Sequence, residues 1–147
     1  MEYGGGKGTS EVIFECDKAT IDISQYPIII QRLKPVDLTL DQTNAYVHLL
    51  NDVVHHTSGP FVIITDSTNS VYLNLDSKLE IAKGIHELER KHLDRYTMSV
   101  VVVPSLTMRS LLEGMNFFMR PIAPQLITNT FEEAYEKAKE LIGVPFS

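Results

Sequence analysis

The segment Phe61-Val62-Ile63-Ile64-Thr65-Asp66 decides the fold, because four apolar residues form a strand-like run that ends in polar residues. A loop and an amphipathic helix beginning at Ser77 follow it. Residues 98–103 and residues 125–128 are two further apolar runs, and each also precedes an amphipathic stretch. Strands that alternate with helices build a parallel sheet with right-handed crossovers. The sequence therefore predicts an α/β fold.

The N-terminal part adds antiparallel strands to this sheet. Residues 12–16 and 20–23 flank Asp17-Lys18, and their alternating pattern predicts a short hairpin. Residues 27–33 form a third run that is apolar enough to lie inside the sheet. The predicted architecture is a mixed, mostly parallel sheet with an N-terminal antiparallel hairpin and about four covering helices.

Three of the four predicted helices begin with a capping box, in which a hydroxyl bonds the backbone N–H three residues on and a Glu or Gln side chain reaches back. The pairs are Thr39 with Gln42, Ser77 with Glu80, and Thr130 with Glu133. The last two helices are expected at about residues 108–119 and 131–142. Each helix carries one apolar stripe, and Leu112 and Leu141 fall in the middle of two such stripes. We therefore expect both leucines to be buried.

Size and composition suit one globular domain. The 147 residues, 44% of them hydrophobic, are enough for one full core. Residues 1–10 are Gly-rich and polar and are expected to form a flexible arm, followed by a single domain at residues 11–147. A net charge of −6 argues against a nucleic acid or membrane surface as partner. No apolar run approaches the roughly 18 residues that span a bilayer.

No catalytic, cofactor or metal motif stands out in the chain. His55 and His56 are adjacent, so on a helix they point about 100° apart and cannot chelate one ion together. Cys16, the only cysteine, falls in a predicted strand and is expected to be buried and inert. A single cysteine cannot form an internal disulfide, which favours a reducing cytoplasm. We expect no catalytic residue, no cofactor and no metal ion, and a protein that is not an enzyme.

One polar loop lies where open α/β folds usually bind ligands. Asp66 ends a core strand and is therefore expected at the carboxyl edge of the sheet, with Ser67 next to it. Asp76 and Ser77 open the following helix, where backbone N–H groups can hold a phosphate or another anion. Ser77 is also explained as a helix cap. These four residues form the candidate regulatory or ligand-binding loop.

From this loop onward the chain resembles the STAS domain, named for sulfate transporters and anti-sigma-factor antagonists. Asp66 and Asp76-Ser77 match the family's acidic strand end and its Asp-Ser at a helix start, and residues 104–115 and 127–134 resemble its later turn, strand and helices. The resemblance covers roughly residues 25–142 and implies a divergent bacterial STAS-like protein of unassigned role.

The chain departs from the family pattern directly after the Asp-Ser pair. Anti-sigma antagonists have a small hydroxyl residue and a glycine there, through which the resemblance implies a phosphorylated serine switch. Lys78 and Leu79 occupy those positions here. CRAL-TRIO lipid-binding domains share the same general fold, so the resemblance also allows an apolar pocket.

Two functional hypotheses follow. The first is a non-enzymatic domain that acts by contact with a protein partner or with itself as a homodimer. Its candidate interaction patch is Phe117, Phe118 and Met119 at the end of the third helix. The second is a small-molecule or lipid-binding module, because the methionines and phenylalanines of that helix suit an adaptable apolar pocket. Core packing explains the same side chains.

Overall fold

The architecture is taken from a computed structural model that describes residues 12–36, 39–69, 75–118 and 120–142, with the backbone alone described at 75–78, 115 and 118. Ten elements follow one another along the chain: β1 (Ile13–Glu15), β2 (Ala19–Asp22), β3 (Ile28–Leu33), α1 (Leu40–His55), β4 (Phe61–Asp66), α2 (Leu75–Lys91), β5 (Tyr96–Val102), α3 (Leu106–Phe118), β6 (Gln125–Thr128) and α4 (Phe131–Ile142).

The six strands form one sheet in the order β1-β2-β3-β4-β5-β6. The pairs β1–β2 and β2–β3 are antiparallel, whereas β3–β4, β4–β5 and β5–β6 are parallel. The predicted α/β fold, with its N-terminal hairpin, mostly parallel sheet and four helices, is confirmed. The predicted interior position of β3 is also confirmed, because β3 lies between β2 and β4.

The two faces of the sheet carry separate apolar clusters. One cluster joins the side chains of β3, β4 and β5 to Ala134 and Ala138 of α4. The other joins the opposite face of the same strands to Leu50 and Val53 of α1 and to Leu88 of α2. The sheet is therefore covered by α4 on one face and by α1, α2 and α3 on the other.

The predicted caps of α1 and α4 are found, but that of α2 is not. Thr39 and Gln42 form the complete capping box of α1. Thr130 caps α4 by accepting from the Glu133 N–H at 3.2 Å, while the Glu133 carboxylate accepts from Asn129 rather than from Thr130. The predicted start of α2 at Ser77 is wrong, because α2 begins at Leu75 and Ser77 lies within its first turn.

Three predictions of burial are also wrong. Leu112 is only half-buried, and it lines a cavity next to α3. Leu141 is 38% exposed, whereas Ala134, Ala138 and Ile142 of the same helix pack against the sheet. Cys16 lies after β1 in the turn of the hairpin, not in a strand, and is only half-buried. The predicted arm at residues 1–10 lies outside the described residues.

Candidate functional site

The sheet face beneath α2 and α3 is apolar at the amino ends of its strands and polar toward their carboxyl ends. At the amino ends of β3 and β4, Ile29, Phe61 and Ile63 are fully buried in the apolar cluster with α1. Two residues further along each strand the same face carries Gln31 and Thr65. These two are paired in the parallel register of β3 and β4. The apolar core is therefore replaced by polar side chains toward the carboxyl ends of the strands.

A cavity of about 230 Å³ lies over this polar half of the sheet. Its floor is formed by strand residues, and its walls are formed by α2, α3 and the connection that follows α3. Most of the lining is apolar. The apolar side chains that face it are Leu33, Ile81, Ala82, Ile85, Val101, Val103, Met108, Leu111, Leu112 and Pro121.

A chain of hydrogen bonds crosses the floor of the cavity. The Tyr46 hydroxyl of α1 donates to Oε1 of Gln31 at 2.7 Å, and Nε2 of Gln31 donates to Oγ1 of Thr65 at 2.8 Å. Tyr46 is 2% exposed, and its burial raises the pKa of its hydroxyl well above the usual range. The phenol therefore stays protonated and acts as a fixed donor.

A second pair of hydroxyls lies on the neighbouring strand. Ser99 and Tyr96 both lie on β5, and burial raises the pKa of the Tyr96 hydroxyl well above its usual range, an effect that the Ser99 hydroxyl opposes. Ser99 is opposite Gln125 in the β5–β6 register. Gln125 in turn accepts a 2.6 Å hydrogen bond from Nδ2 of Asn116 on α3, which connects the sheet to α3 at this end of the cavity.

Charged groups also line the cavity. Lys18, in the hairpin turn, is 1% exposed, and its ammonium donates to the carbonyl oxygens of Lys34 and Val36 at 3.3 and 3.4 Å. On the opposite wall Glu89 of α2 is 2% exposed, and burial raises the pKa of its carboxyl group. A buried cation therefore lies at the hairpin end and a buried carboxyl group lies on α2.

The structure separates the two described residues of the candidate loop. Asp66 lies at the carboxyl end of β4, as predicted, but on the face covered by α4. Its carboxylate accepts from the Thr68 hydroxyl at 2.6 Å and lies 4.0 Å from the Arg32 guanidinium. Ser67 lines the cavity instead, and its hydroxyl donates to the carbonyl oxygen of Val102.

The other predicted site residues are only partly described. Asp76 and Ser77 lie in the first turn of α2, and their side chains lie outside the described residues. Phe117, in the last turn of α3, is 85% exposed. The Phe118 side chain and Met119 lie outside the described residues, so the predicted patch is represented by Phe117 alone.

The polar residues of the cavity floor were not predicted from the sequence. Gln31 and Thr65 each follow an apolar run and Ser99 interrupts one, in three strands that become neighbours. Their position within the strands was the available signal, because a polar residue within a buried strand needs a partner. Lys18 carried no such signal, because a lysine in a hairpin turn is usually exposed.

Among the residues with described side chains, no group of three or more His, Cys, Asp or Glu residues is arranged to hold a metal ion. Within the described ranges, the helices are too short or too polar to cross a bilayer.

The comparison with solved structures identifies the fold. No family model and no curated protein matches the chain. Among solved structures, it is similar to an uncharacterized protein of the DUF3478 family from Shewanella loihica that has a SpoIIAA-like fold. The TM-score is 0.56 at 14% identity, over 86% of this chain and 90% of the other. The chain has a SpoIIAA-like fold. The predicted STAS-like architecture is thereby confirmed, and an identity this low shows the fold alone.

Proposed function

We propose that this chain is a binding domain that takes a small, largely apolar ligand into the cavity between its sheet and helices α2 and α3. The observation that carries the proposal is the position of the cavity over the carboxyl ends of β3, β4 and β5. Open α/β sheets usually bind their ligands at this edge. An apolar pocket with a few convergent polar groups is also the usual form of a small-molecule site.

The size of the cavity favours a small ligand. A close-packed interior has few voids larger than a water molecule, whose share of liquid volume is about 30 Å³. At about 230 Å³ the cavity is several times larger than that. It is smaller than the roughly 300–1,000 Å³ of pockets for drug-sized ligands. A compact molecule therefore fits better than a lipid with two acyl chains.

The protonation of the buried tyrosine hydroxyls supports ligand binding rather than catalysis. Tyr46 and Tyr96 are buried, and their raised pKa keeps both hydroxyls neutral. Tyr46 is already hydrogen-bonded to Gln31, so it acts as a fixed orienting group. We propose that the domain is a non-enzymatic regulator in the cytoplasm, a location that the single cysteine, Cys16, also favours.

Filling the cavity tests this function. Ala82 of α2 lines the cavity, so Ala82→Phe should occupy it, whereas Glu87→Phe places the same ring on the exposed side of α2. Binding of octanoate, 1-octanol and octylamine is measured by NMR titration, beside native mass spectrometry of protein purified from cells. We expect at least one probe to bind the wild type and Glu87→Phe, but not Ala82→Phe. No bound mass and no binding of any probe would rule the proposal out.

The outer surface of α3 supports a second function, contact with a protein partner. Leu106 and Phe117 lie at opposite ends of α3 and are 81% and 85% exposed. They are eleven positions apart, which places them within about 20° of each other around the helix. Because they share one side of α3, we propose that the patch predicted at Phe117 extends along that side to Leu106 and supports a homodimer.

Sedimentation equilibrium tests the homodimer. We expect the wild type to show a concentration-dependent mass, and Leu106→Ser with Phe117→Ser to shift the protein toward the monomer. Leu93→Ser is the control, because Leu93 is 53% exposed and lies beyond α2. A wild-type protein that stays monomeric at every concentration would contradict self-association through α3.

A further inference from the structure

One arginine side chain contacts three connections at the amino edge of the sheet. Arg95 lies directly before β5, and its guanidinium donates through Nε to the carbonyl oxygen of Gly59 at 3.0 Å and through Nη2 to Oγ1 of Thr57 at 2.7 Å. Nη2 also donates to the Tyr26 hydroxyl at 3.4 Å, and that hydroxyl donates to the carbonyl oxygen of Ser58 at 2.7 Å. The connections that precede β3, β4 and β5 therefore meet at this guanidinium.

The fourth acceptor of Arg95 is a histidine. Nη1 of Arg95 lies 3.4 Å from Nδ1 of His92, in the turn between α2 and β5. A guanidinium group has donors only, so Nδ1 of His92 must offer a lone pair. A histidine with a lone pair on Nδ1 is neutral and carries its proton on Nε2. The contact is therefore compatible with only one protonation state of His92.

A nearby histidine has the opposite requirement. Nδ1 of His56 lies 2.8 Å from the carbonyl oxygen of Asp52, one turn earlier in α1. A carbonyl oxygen only accepts, so Nδ1 of His56 carries a proton in this contact. Uptake of a second proton at Nε2 leaves that contact intact. Protonation therefore breaks the Arg95 contact of His92 but not the Asp52 contact of His56.

The charges around His92 also oppose its protonation. Arg95 keeps its charge at every accessible pH, and no carboxylate in the described part of the chain forms an ion pair with it. Partial burial of His92 lowers its pKa most, and the charge of Arg95 lowers it further. His55 and Lys91 act in the same direction, and Asp94 opposes them. A proton on His92 therefore places a second cation beside Arg95 and removes the lone pair to which Arg95 donates.

We propose that neutral His92 and Arg95 form a pH-sensitive clasp, which holds the connections before β3, β4 and β5 together and loosens when His92 takes up a proton. The clasp lies at the amino edge of the sheet, so it is independent of the cavity ligand and of the α3 surface. The folded protein takes up this proton less readily than the unfolded chain does. The stabilising effect of the clasp is therefore present above about pH 6.5, where an ordinary histidine is neutral, and is lost as pH falls below it.

Hydrogen exchange followed by NMR tests the clasp, because two amides report on its opening. The N–H groups of Thr57 and Phe61 are bonded to the carbonyl oxygens of Val54 and Arg95 at 3.1 and 2.9 Å. The Val103 N–H, which is hydrogen-bonded at the carboxyl edge of the sheet, is the reference. We expect protection of the two amides, corrected for intrinsic exchange, to fall about fivefold relative to the reference when pH is lowered from about 7.5 to about 5.5. An unchanged ratio would overturn the proposal.

Two histidine variants assign the effect. His92→Asn keeps an acceptor, Oδ1, near the position of Nδ1 but takes up no proton in this range, so its pH response should be less than about twofold. His56→Asn is the matched control, because it removes a nearby histidine whose ring nitrogen faces an acceptor. It should keep the wild-type response. A full response in His92→Asn, or its loss in His56→Asn, would show that another group is responsible.

The tautomer of His92 gives a second measurement, which needs no variant. Two-bond nitrogen–proton correlation spectra of the wild type at about pH 7.5 should show the proton of His92 on Nε2 and that of His56 on Nδ1. A proton on Nδ1 of neutral His92 would refute the clasp, because Arg95 would then face a donor.

Discussion

The carboxylate of Glu89 accepts a hydrogen bond from the backbone N–H of Ile122 at 2.8 Å, which ties the last turn of α2 to the connection between α3 and β6. Glu89 is 2% exposed, and Ala123, next to Ile122, is also buried. Burial of the carboxyl group raises its pKa, and the backbone N–H groups of Ile122 and Ala123 oppose this rise. Burial is the largest of these effects, so the folded protein holds the proton more tightly than the unfolded chain does.

Burial of the Glu89 carboxyl group predicts that the free energy of unfolding depends on pH. A carboxyl group whose pKa is higher in the folded state binds more protons when folded, so its contribution to stability falls as pH rises through the two pKa values. Glu89→Gln keeps an oxygen that accepts from Ile122 but has no proton to exchange. We therefore expect the wild type to lose stability relative to Glu89→Gln as pH rises above about 4, where an ordinary glutamate ionises. Urea denaturation across this range measures the difference.

Glu87→Gln is the matched control, because Glu87 lies on the exposed side of the same helix and its removal also deletes one carboxylate from α2. This variant controls for the loss of one negative charge from α2. If the wild type gains stability relative to Glu89→Gln as pH rises, the direction of the pKa shift is wrong.

Close packing of α1 against α2 depends on Gly84. A Cβ atom at Gly84 would lie 2.4 Å from Cγ1 of Val47, closer than two carbon atoms can approach. We expect Gly84→Ala to cost about 1–3 kcal/mol through overpacking, although alanine is the better helix former. Gly114 of α3 has nothing within 4 Å of its position, so Gly114→Ala should stabilise by about 0.5–1 kcal/mol. Stabilisation by both substitutions would show that α1 and α2 are not so closely packed.

The elements whose bounds were predicted best are the strands in which a polar residue ends a short apolar run. The bounds of β4 and β6 agree with the prediction, because Asp66 and Thr128 end short apolar runs. The start of α2 was missed because Ser77 and Glu80 fit a capping box, although the helix already includes Leu75 and Asp76. A local motif of this kind does not determine where the backbone first becomes helical.

The candidate site could be predicted only in part, because its residues are brought together by strand register. Gln31 and Thr65 can be recognised in the sequence as polar residues that follow apolar runs. Only the parallel pairing of β3 with β4, however, places them side by side. Lys18 is buried by contacts with Lys34 and Val36, sixteen and eighteen residues further along the chain. No local pattern carries such long-range contacts.

Leucine substitutions test which side chains of α2 and α4 are buried against the sheet. Leu88 of α2 is fully buried, so Leu88→Ala should cost about 2–5 kcal/mol through lost apolar burial and the cavity left behind. Leu141→Ala should cost less than about 1 kcal/mol, because Leu141 is 38% exposed. Denaturant midpoints of the two variants measure the contrast. Similar losses would show that α4 is rotated from its described position.

Substitutions at Thr39 and Ser77 compare a residue that caps a helix with one that lies inside the first turn of a helix. Thr39→Ala removes a hydroxyl that accepts from the Gln42 N–H at 3.2 Å and should cost about 1 kcal/mol. Ser77 lies within the first turn of α2, so Ser77→Ala should change stability by less than about 0.5 kcal/mol. Ser77→Asp should stabilise by about 0.3–1 kcal/mol, because a negative charge suits a helix N-terminus. A loss of 1 kcal/mol for Ser77→Ala would restore its predicted role as a cap.

The hydrogen bond between Tyr46 and Gln31 gives the last prediction. Tyr46→Phe leaves Oε1 of the buried Gln31 without its donor, which should cost about 1–3 kcal/mol. Tyr26→Phe is the control, because the Tyr26 hydroxyl donates to the carbonyl oxygen of Ser58 at an exposed position where water can replace it. Its cost should be below about 1 kcal/mol.

A double-mutant cycle separates this hydrogen bond from other effects of the tyrosine. Gln31→Met removes the buried acceptor, so the cost of Tyr46→Phe should fall once Gln31 is absent. Because the two side chains are in contact, we expect a coupling energy of about 0.5–3 kcal/mol between them. Additive losses would mean that Gln31 is satisfied without Tyr46. The amide would then be free to turn its oxygen toward Thr65, which would reverse the hydrogen bond in which Nε2 of Gln31 donates to Oγ1 of Thr65.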